Sequence, residues 1–264
     1  MDPATHDGRD RAEAGAPAGD EALIDQVRRF WDADAETYDH SATHWPQSPA
    51  EEAAWTALLR AALPDPPARV LDVGAGTGFL TLPAASLGHE TLALDLSPAM
   101  LGVLVRKARA AQLGVATRVA VADAPPPGPF DAVMCRHLLW TLPDPVAALT
   151  AWRAAAPHGQ LLVVEGAWGG GEPGQAWRQQ ARRALRWVQR RRPAHHGTYD
   201  PAVWEALPLG DGTDPSVLVE AVRRAGWRDV ALSRLHDVEW ARLRPRPAPE
   251  RWLGPVPQFA VRAR

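Results

Sequence analysis

The hydrophobic period of the chain changes near residue 69. Before it, Leu23, Ile24, Val27, Phe30 and Trp31 recur at three- and four-residue spacing and predict a helix over 21–38. A second helix is predicted over 50–63, stopped by Pro64. The polar stretch "DHSATHWPQSP" (39–49) joins them. After residue 69, short apolar runs alternate with helical stretches. Strands are predicted at 70–73, 91–94, 118–121, 132–135 and 161–165, with helices at 80–87, 98–113 and 145–155. Apolar runs without polar alternation mark strands covered on both faces, and strand–helix alternation makes the sheet parallel. Such sheets take ligands beyond the carboxyl ends of their strands.

The last third is less regular. An arginine-rich helix is predicted over 173–192, the loop "PAHHGTYDP" over 193–201, a helix over 217–225, a strand at 230–232 and a final strand in the tail "VPQFAVRAR". The expected organisation is a disordered tail over 1–20, a helical cap over 21–66 and a main α/β domain over 67–264, with a helical cap insertion at about 167–215.

Composition narrows the partners. The 264 residues fit one domain with a cap, and 46% hydrophobic residues are enough for a sizeable core. A formal net charge of −2 gives no general attraction to nucleic acid or membrane. Lys107 is the only lysine, so the positive charge is almost all arginine. Cys135 is the single cysteine, which excludes an intrachain disulfide and accords with a cytoplasmic protein. The acidic N-terminus has no apolar signal region, and no apolar run is long enough to span a membrane. The sequence carries no signal for oligomeric state.

The stretch "VLDVGAGTGF" (70–79) packs Gly74, Gly76 and Gly78 into five residues after a strand. A phosphate-binding P-loop would end in Gly-Lys-Ser/Thr, but Gly78 is followed by Phe79. A dinucleotide loop would read Gly-x-Gly-x-x-Gly, whereas the spacing here is Gly-x-Gly-x-Gly. Asp72 would repel a pyrophosphate and attract a cationic amine. Asp95, ending the second strand, can accept from both hydroxyls of a ribose. Asp123, after the third, can accept from an adenine amine; an Asp before "APPPG" also reads as an ordinary turn residue. An amine, a ribose and an adenine without phosphate describe S-adenosylmethionine.

The sequence resembles the class I S-adenosylmethionine-dependent methyltransferases through "VLDVGAGTG" (70–78), "ALDLSPAML" (93–101), "VADA" (121–124), "FDAVMCRHLLWTLPDP" (130–145) and "PHGQLLVVEG" (157–166). It looks most like the small-molecule branch, the kind that methylates ubiquinone and menaquinone precursors and bacterial secondary metabolites. The resemblance implies a Rossmann-like, mostly parallel sheet of seven strands, the last antiparallel, with helices on both faces. It implies that Asp72, Gly74, Gly76 and Gly78 cradle the methionine part of the cofactor, and that Asp95 takes the ribose. Leu96 and Met100 would lie beside the adenine, with Asp123 and Ala124 at its amine. Arg136 would take a backbone or methionine-end role, and Tyr38 would close over the cofactor.

Methyl transfer asks the protein mainly to align the acceptor and exclude water, with a base only where the acceptor arrives protonated. His137, directly after the fourth strand, is the first candidate base; its competing role is a structural imidazole. His44, Trp45, Trp140 and Trp168 are candidates for the walls of a substrate pocket, suited to an aromatic or heterocyclic acceptor. His195 and His196 read as a solvated loop, and two histidines alone make no metal site. Arg178, Arg182, Arg186 and Arg190 form a stripe on one helix. The stripe reads either as a solvated face or, in the alternative function, as the surface of an RNA methyltransferase using residues 178–192. The expected partner is a small-molecule substrate; the acceptor atom, whether N, O or C, stays open.

Overall fold

A computed structural model describes residues 18–166, 177, 178, 180, 181, 184, 185, 201–205, 207–209 and 214–264. The strands are β1 (Arg69–Val73), β2 (Glu90–Asp95), β3 (Val115–Val119), β4 (Ala132–Arg136), β5 (Gln160–Gly166), β6 (Ala231–Arg234) and β7 (Gln258–Ala263). They form one seven-stranded sheet in the order β3-β2-β1-β4-β5-β7-β6. The first five are mutually parallel, and β7 runs antiparallel to both β5 and β6.

The apolar strands bury both faces because successive side chains point to opposite sides. Leu71, Val73, Val133, Cys135, Leu161 and Val163 share one core with Leu149 and Trp152 of α5 (Pro145–Ala155) and Leu218 and Val222 of a later helix, α7 (Pro215–Arg224). Val70, Ala132, Met134, Leu162 and Val164 belong to a second core, with Trp55 and Leu59 of α2 (Pro49–Ala62). Four helices begin on the same device. Ser48, Ser97, Asp144 and Asp214 each cap with a side-chain oxygen, and each is followed by proline at the first helical position.

The structure departs most from the sequence pattern at the first helix, at the third strand and at two helices that the pattern did not predict. The first helix, α1, spans Ala18–Asp34 and stops short of Tyr38, which sits in a separate one-turn helix, Tyr38–His40. The third strand lies at Val115–Val119 rather than 118–121. It is an edge strand, largely exposed, so burial imposes no continuous apolar run on it. The helices α8 (His236–Leu243) and α9 (Ala248–Trp252) fall where proline and arginine hid the periodicity. Of the tail expected over 1–20, residues 18–20 instead open α1, and residues 1–17 lie outside the described residues, as do Trp168, Arg182, Arg186, Arg190, His195 and His196. No described helix is long and apolar enough to cross a membrane.

Candidate functional site

A cavity of about 330 Å³ opens beyond the carboxyl ends of β1, β2 and β4. Gly74 and Gly76 form part of its floor, with Leu94, Asp95, Leu96 and Met100 on one side and Ala120–Asp123 on another. Arg136, His137, Leu138 and Thr141 follow from the end of β4. Leu23, Ile24, Val27 and Trp31 of α1 cover it, joined by Tyr38, Leu142 and Leu207. Val203 of α6 (Pro201–Glu205) and Leu207 pack against the same face of α1, so the cover is itself a small apolar cluster.

The glycine loop divides its labour. All three glycines have positive φ: +66 at Gly74, +53 at Gly76 and +94 at Gly78. At Gly78 a Cβ would meet Leu104 Cγ at 2.9 Å, and at Gly74 it would meet Leu138 Cδ1 at 2.7 Å, so these two serve packing. At Gly76 no described atom lies within 4 Å of a Cβ. The loop therefore presents bare backbone to the cavity at Gly76.

Asp95 is fixed for reception. Its Oδ2 accepts from Gly76 N at 2.7 Å and its Oδ1 from Ser97 N at 2.8 Å. Each oxygen keeps further acceptor capacity for a ligand hydroxyl. Burial pushes this carboxyl up to about 6, against the pull of the backbone N–H groups. Asp123 lines the cavity from an exposed turn after β3. Ala124 does not line it; its N–H donates to Val121 O at 3.2 Å.

Asp72 lies behind the loop rather than in the cavity wall. It is 2% exposed and accepts from Thr81 Oγ1 at 2.5 Å, at the start of α3 (Thr81–Ser86). Burial pushes it up to about 7. Gly78 likewise stands back from the wall.

Arg136 is a buried cation on the cavity. Its guanidinium donates to Thr43 O and lies 3.7 Å from the centre of the Phe79 ring, while Nε has no hydrogen-bond partner among the described residues. Burial pulls it down to about 9. Next to it, His137 has left-handed backbone, φ 55, held by its N–H to Val164 O at 3.0 Å. Its Nδ1 is 3.4 Å from Glu165 Oε2. Burial, then the charges of Arg136, Arg242 and His44, lower the imidazole well below its ordinary value, so it is neutral at pH 7.

The pocket candidates separate. Tyr38 lines the cavity and stacks on His44 at 3.9 Å between ring centres; burial pushes its phenol up to about 12. His44 supports Tyr38 from behind, with Nδ1 3.1 Å from Tyr38 O. Trp45 sits under the glycine loop against Lys107 and Phe79. Trp140 lies in the cover, packed against Trp204. None of these last three lines the cavity. The sequence reading passed over Glu165, Thr141 and Leu207. For Glu165 a signal existed: an ionisable residue near the carboxyl end of a strand buried from Leu161 onward.

Residues 71–163 match the methyltransferase-domain family. Residues 71–163 are thus a methyltransferase domain. The chain is 38% identical, over 145 residues, to the ubiquinone biosynthesis O-methyltransferase of Xanthomonas campestris pv. campestris. That match covers 52% of this chain and 56% of the relative, so the chain spans about half the length of the curated relatives it matches. The fold of the methyltransferase domain recurs in phosphoethanolamine N-methyltransferase 2 of Haemonchus contortus, with a TM-score of 0.60 at 16% identity over 91% of this chain and 59% of that one. It recurs in the magnesium protoporphyrin IX methyltransferase of Synechocystis PCC 6803 with bound S-adenosylmethionine, with a TM-score of 0.57 at 13% identity over 96% and 100% of the two chains. None of these three is named for a nucleic-acid substrate.

Proposed function

We propose that the chain is an S-adenosylmethionine-dependent methyltransferase acting on an oxygen of a small, apolar, aromatic acceptor. The observation that carries the reading is Asp95, held by Gly76 N–H with acceptor capacity to spare, beside a glycine whose Cβ position is open. Asp95 would take the ribose hydroxyls, with Leu96 and Met100 against the adenine and Asp123 at its amine. Arg136, with Nε lacking a partner among the described residues, fits the methionyl carboxylate. The Asp72 carboxyl supports the loop through Thr81 instead of touching the cofactor. When bound, the cofactor supplies a methyl group on a sulfonium, which leaves with the sulfur retaining the bonding pair.

The remaining wall has few charges. Leu23, Ile24, Val27, Trp31, Leu142 and Leu207 favour an apolar acceptor and keep water away. His137, uncharged and on the cavity, can take a hydroxyl proton in the form that leaves a ring nitrogen's lone pair free, which supports oxygen as the acceptor atom. The named O-methylating relatives point the same way. Methyl-labelled cofactor offered to phenols, primary amines and RNA in parallel tests the reading. Label is expected in a phenol ether; label only in amines or RNA would overturn it.

A further inference from the structure

We infer that Glu165 is a positioning residue that sets which nitrogen of His137 carries the proton. The inference deepens the methyltransferase reading and rests on it for the role of His137. The geometry is specific. Glu165, the penultimate residue of β5, is 2% exposed and directs its two oxygens to different partners. Oε1 accepts from Leu139 N at 3.1 Å, and Oε2 faces His137 Nδ1 at 3.4 Å. The backbone from His137 to Leu139 thus winds around one carboxyl group. His137 N–H donates to Val164 O, so the imidazole is registered against β5 from two directions. Contacts of this length tighten when an active site fills.

The proton count follows. Burial raises Glu165 to about 8, opposed by the N–H groups of Leu139 and Leu138 and by Arg136. The other charged or titratable groups facing the pair are Arg242 of α8, His44 of the cap loop and the buried thiol of Cys135. At neutral pH the carboxyl O–H donates to Nδ1 and the ring proton sits on Nε2. Above about pH 8 the pair releases one proton. The carboxylate then accepts from Nδ1–H, and Nε2 carries a lone pair. In that form an acceptor hydroxyl can lose its proton to Nε2, breaking O–H and forming N–H, and the resulting imidazolium is stabilised by the Glu165 carboxylate.

Long-range ¹H–¹⁵N spectra of the ¹⁵N-histidine-labelled full chain test this without cofactor or substrate. The His137 signals are assigned by their loss in His137→Phe. Nε2 is expected to be pyrrole-type at pH 6.5 and pyridine-type at pH 9.5, with a midpoint near 8. In Glu165→Gln, the side-chain carbonyl keeps the Leu139 N–H and the NH₂ faces Nδ1, so Nε2 stays pyrrole-type throughout. A wild-type Nε2 that never changes type overturns the inference, whether or not the variant folds. So does a Glu165→Gln protein that keeps the wild-type switch. Calorimetry with S-adenosylhomocysteine on the same sample separates the two readings. Binding without the switch removes only the role of Glu165, and the switch without binding removes the methyltransferase reading.

Discussion

Lys107 holds Asp39 across the boundary between α4 (Pro98–Ala110) and the cap, with Nζ 2.7 Å from Oδ2. The same ammonium lies 3.4 Å from the centre of the Trp45 ring. Thr77 of the glycine loop donates to the other oxygen of Asp39 at 2.6 Å. Farther along the cap, Asp32 Oδ1 accepts from Ser97 Oγ at 2.6 Å, beside Asp95. The turn that carries Tyr38 is therefore tied to the glycine loop and to α4, and the end of α1 just before it is tied to the loop after β2.

Lys107→Met removes the ion pair and leaves Asp39 half-buried. It is expected to cost about 1–3 kcal/mol of stability. It should also weaken S-adenosylhomocysteine binding about tenfold by loosening Tyr38. Thermal unfolding and calorimetry read the two effects; a variant matching wild type in both would mean that the cap docks without this tie.

The glycines separate folding from binding. Gly78→Ala sets a Cβ at 2.9 Å from Leu104 Cγ in left-handed backbone, and is expected to cost about 2–4 kcal/mol. Gly76→Ala has open space around the Cβ and should lose only about 1 kcal/mol. Its methyl group would intrude where the cofactor is proposed to lie, so binding should fall more than stability. The reverse order, with Gly76→Ala unfolding and Gly78→Ala merely failing to bind, contradicts the assignment.

Asp72 makes stability depend on pH. An unfolded Asp ionises near 3.8, whereas the folded carboxyl keeps its proton to about 7. The stabilisation from this group is complete below 3.8 and is lost as pH rises toward 7, because only the unfolded state then releases the proton. Glu165 extends the decline to about 8. The thermal midpoint of the cofactor-free protein should fall between about pH 5 and pH 8. Asp72→Asn keeps an acceptor for Thr81 and should flatten the fall; equal slopes would show that Asp72 ionises normally.

The parallel half of the fold was legible because burial on both faces writes itself into runs such as "RVLDV" and "LLVVEG". The edge strand β3 escaped because exposure relaxes that constraint. The cavity-lining residues Gly76, Asp95 and Arg136 could be read from their places at or just after strand ends. The cap could not, since its contacts span long sequence separations: Asp39 to Lys107, Arg136 to Thr43, Leu207 to α1. Charge beside the loop and the family resemblance also placed Asp72 at the ligand, whereas its carboxyl is buried and accepts from the hydroxyl of Thr81.

Calorimetric titration of S-adenosylhomocysteine into wild type and Asp95→Ala tests the central claim most directly. Wild type should bind in the micromolar range, and Asp95→Ala should bind at least tenfold more weakly, about 1.4 kcal/mol or more, while remaining folded. No heat with wild type, or equal affinity in the two proteins, would contradict the account.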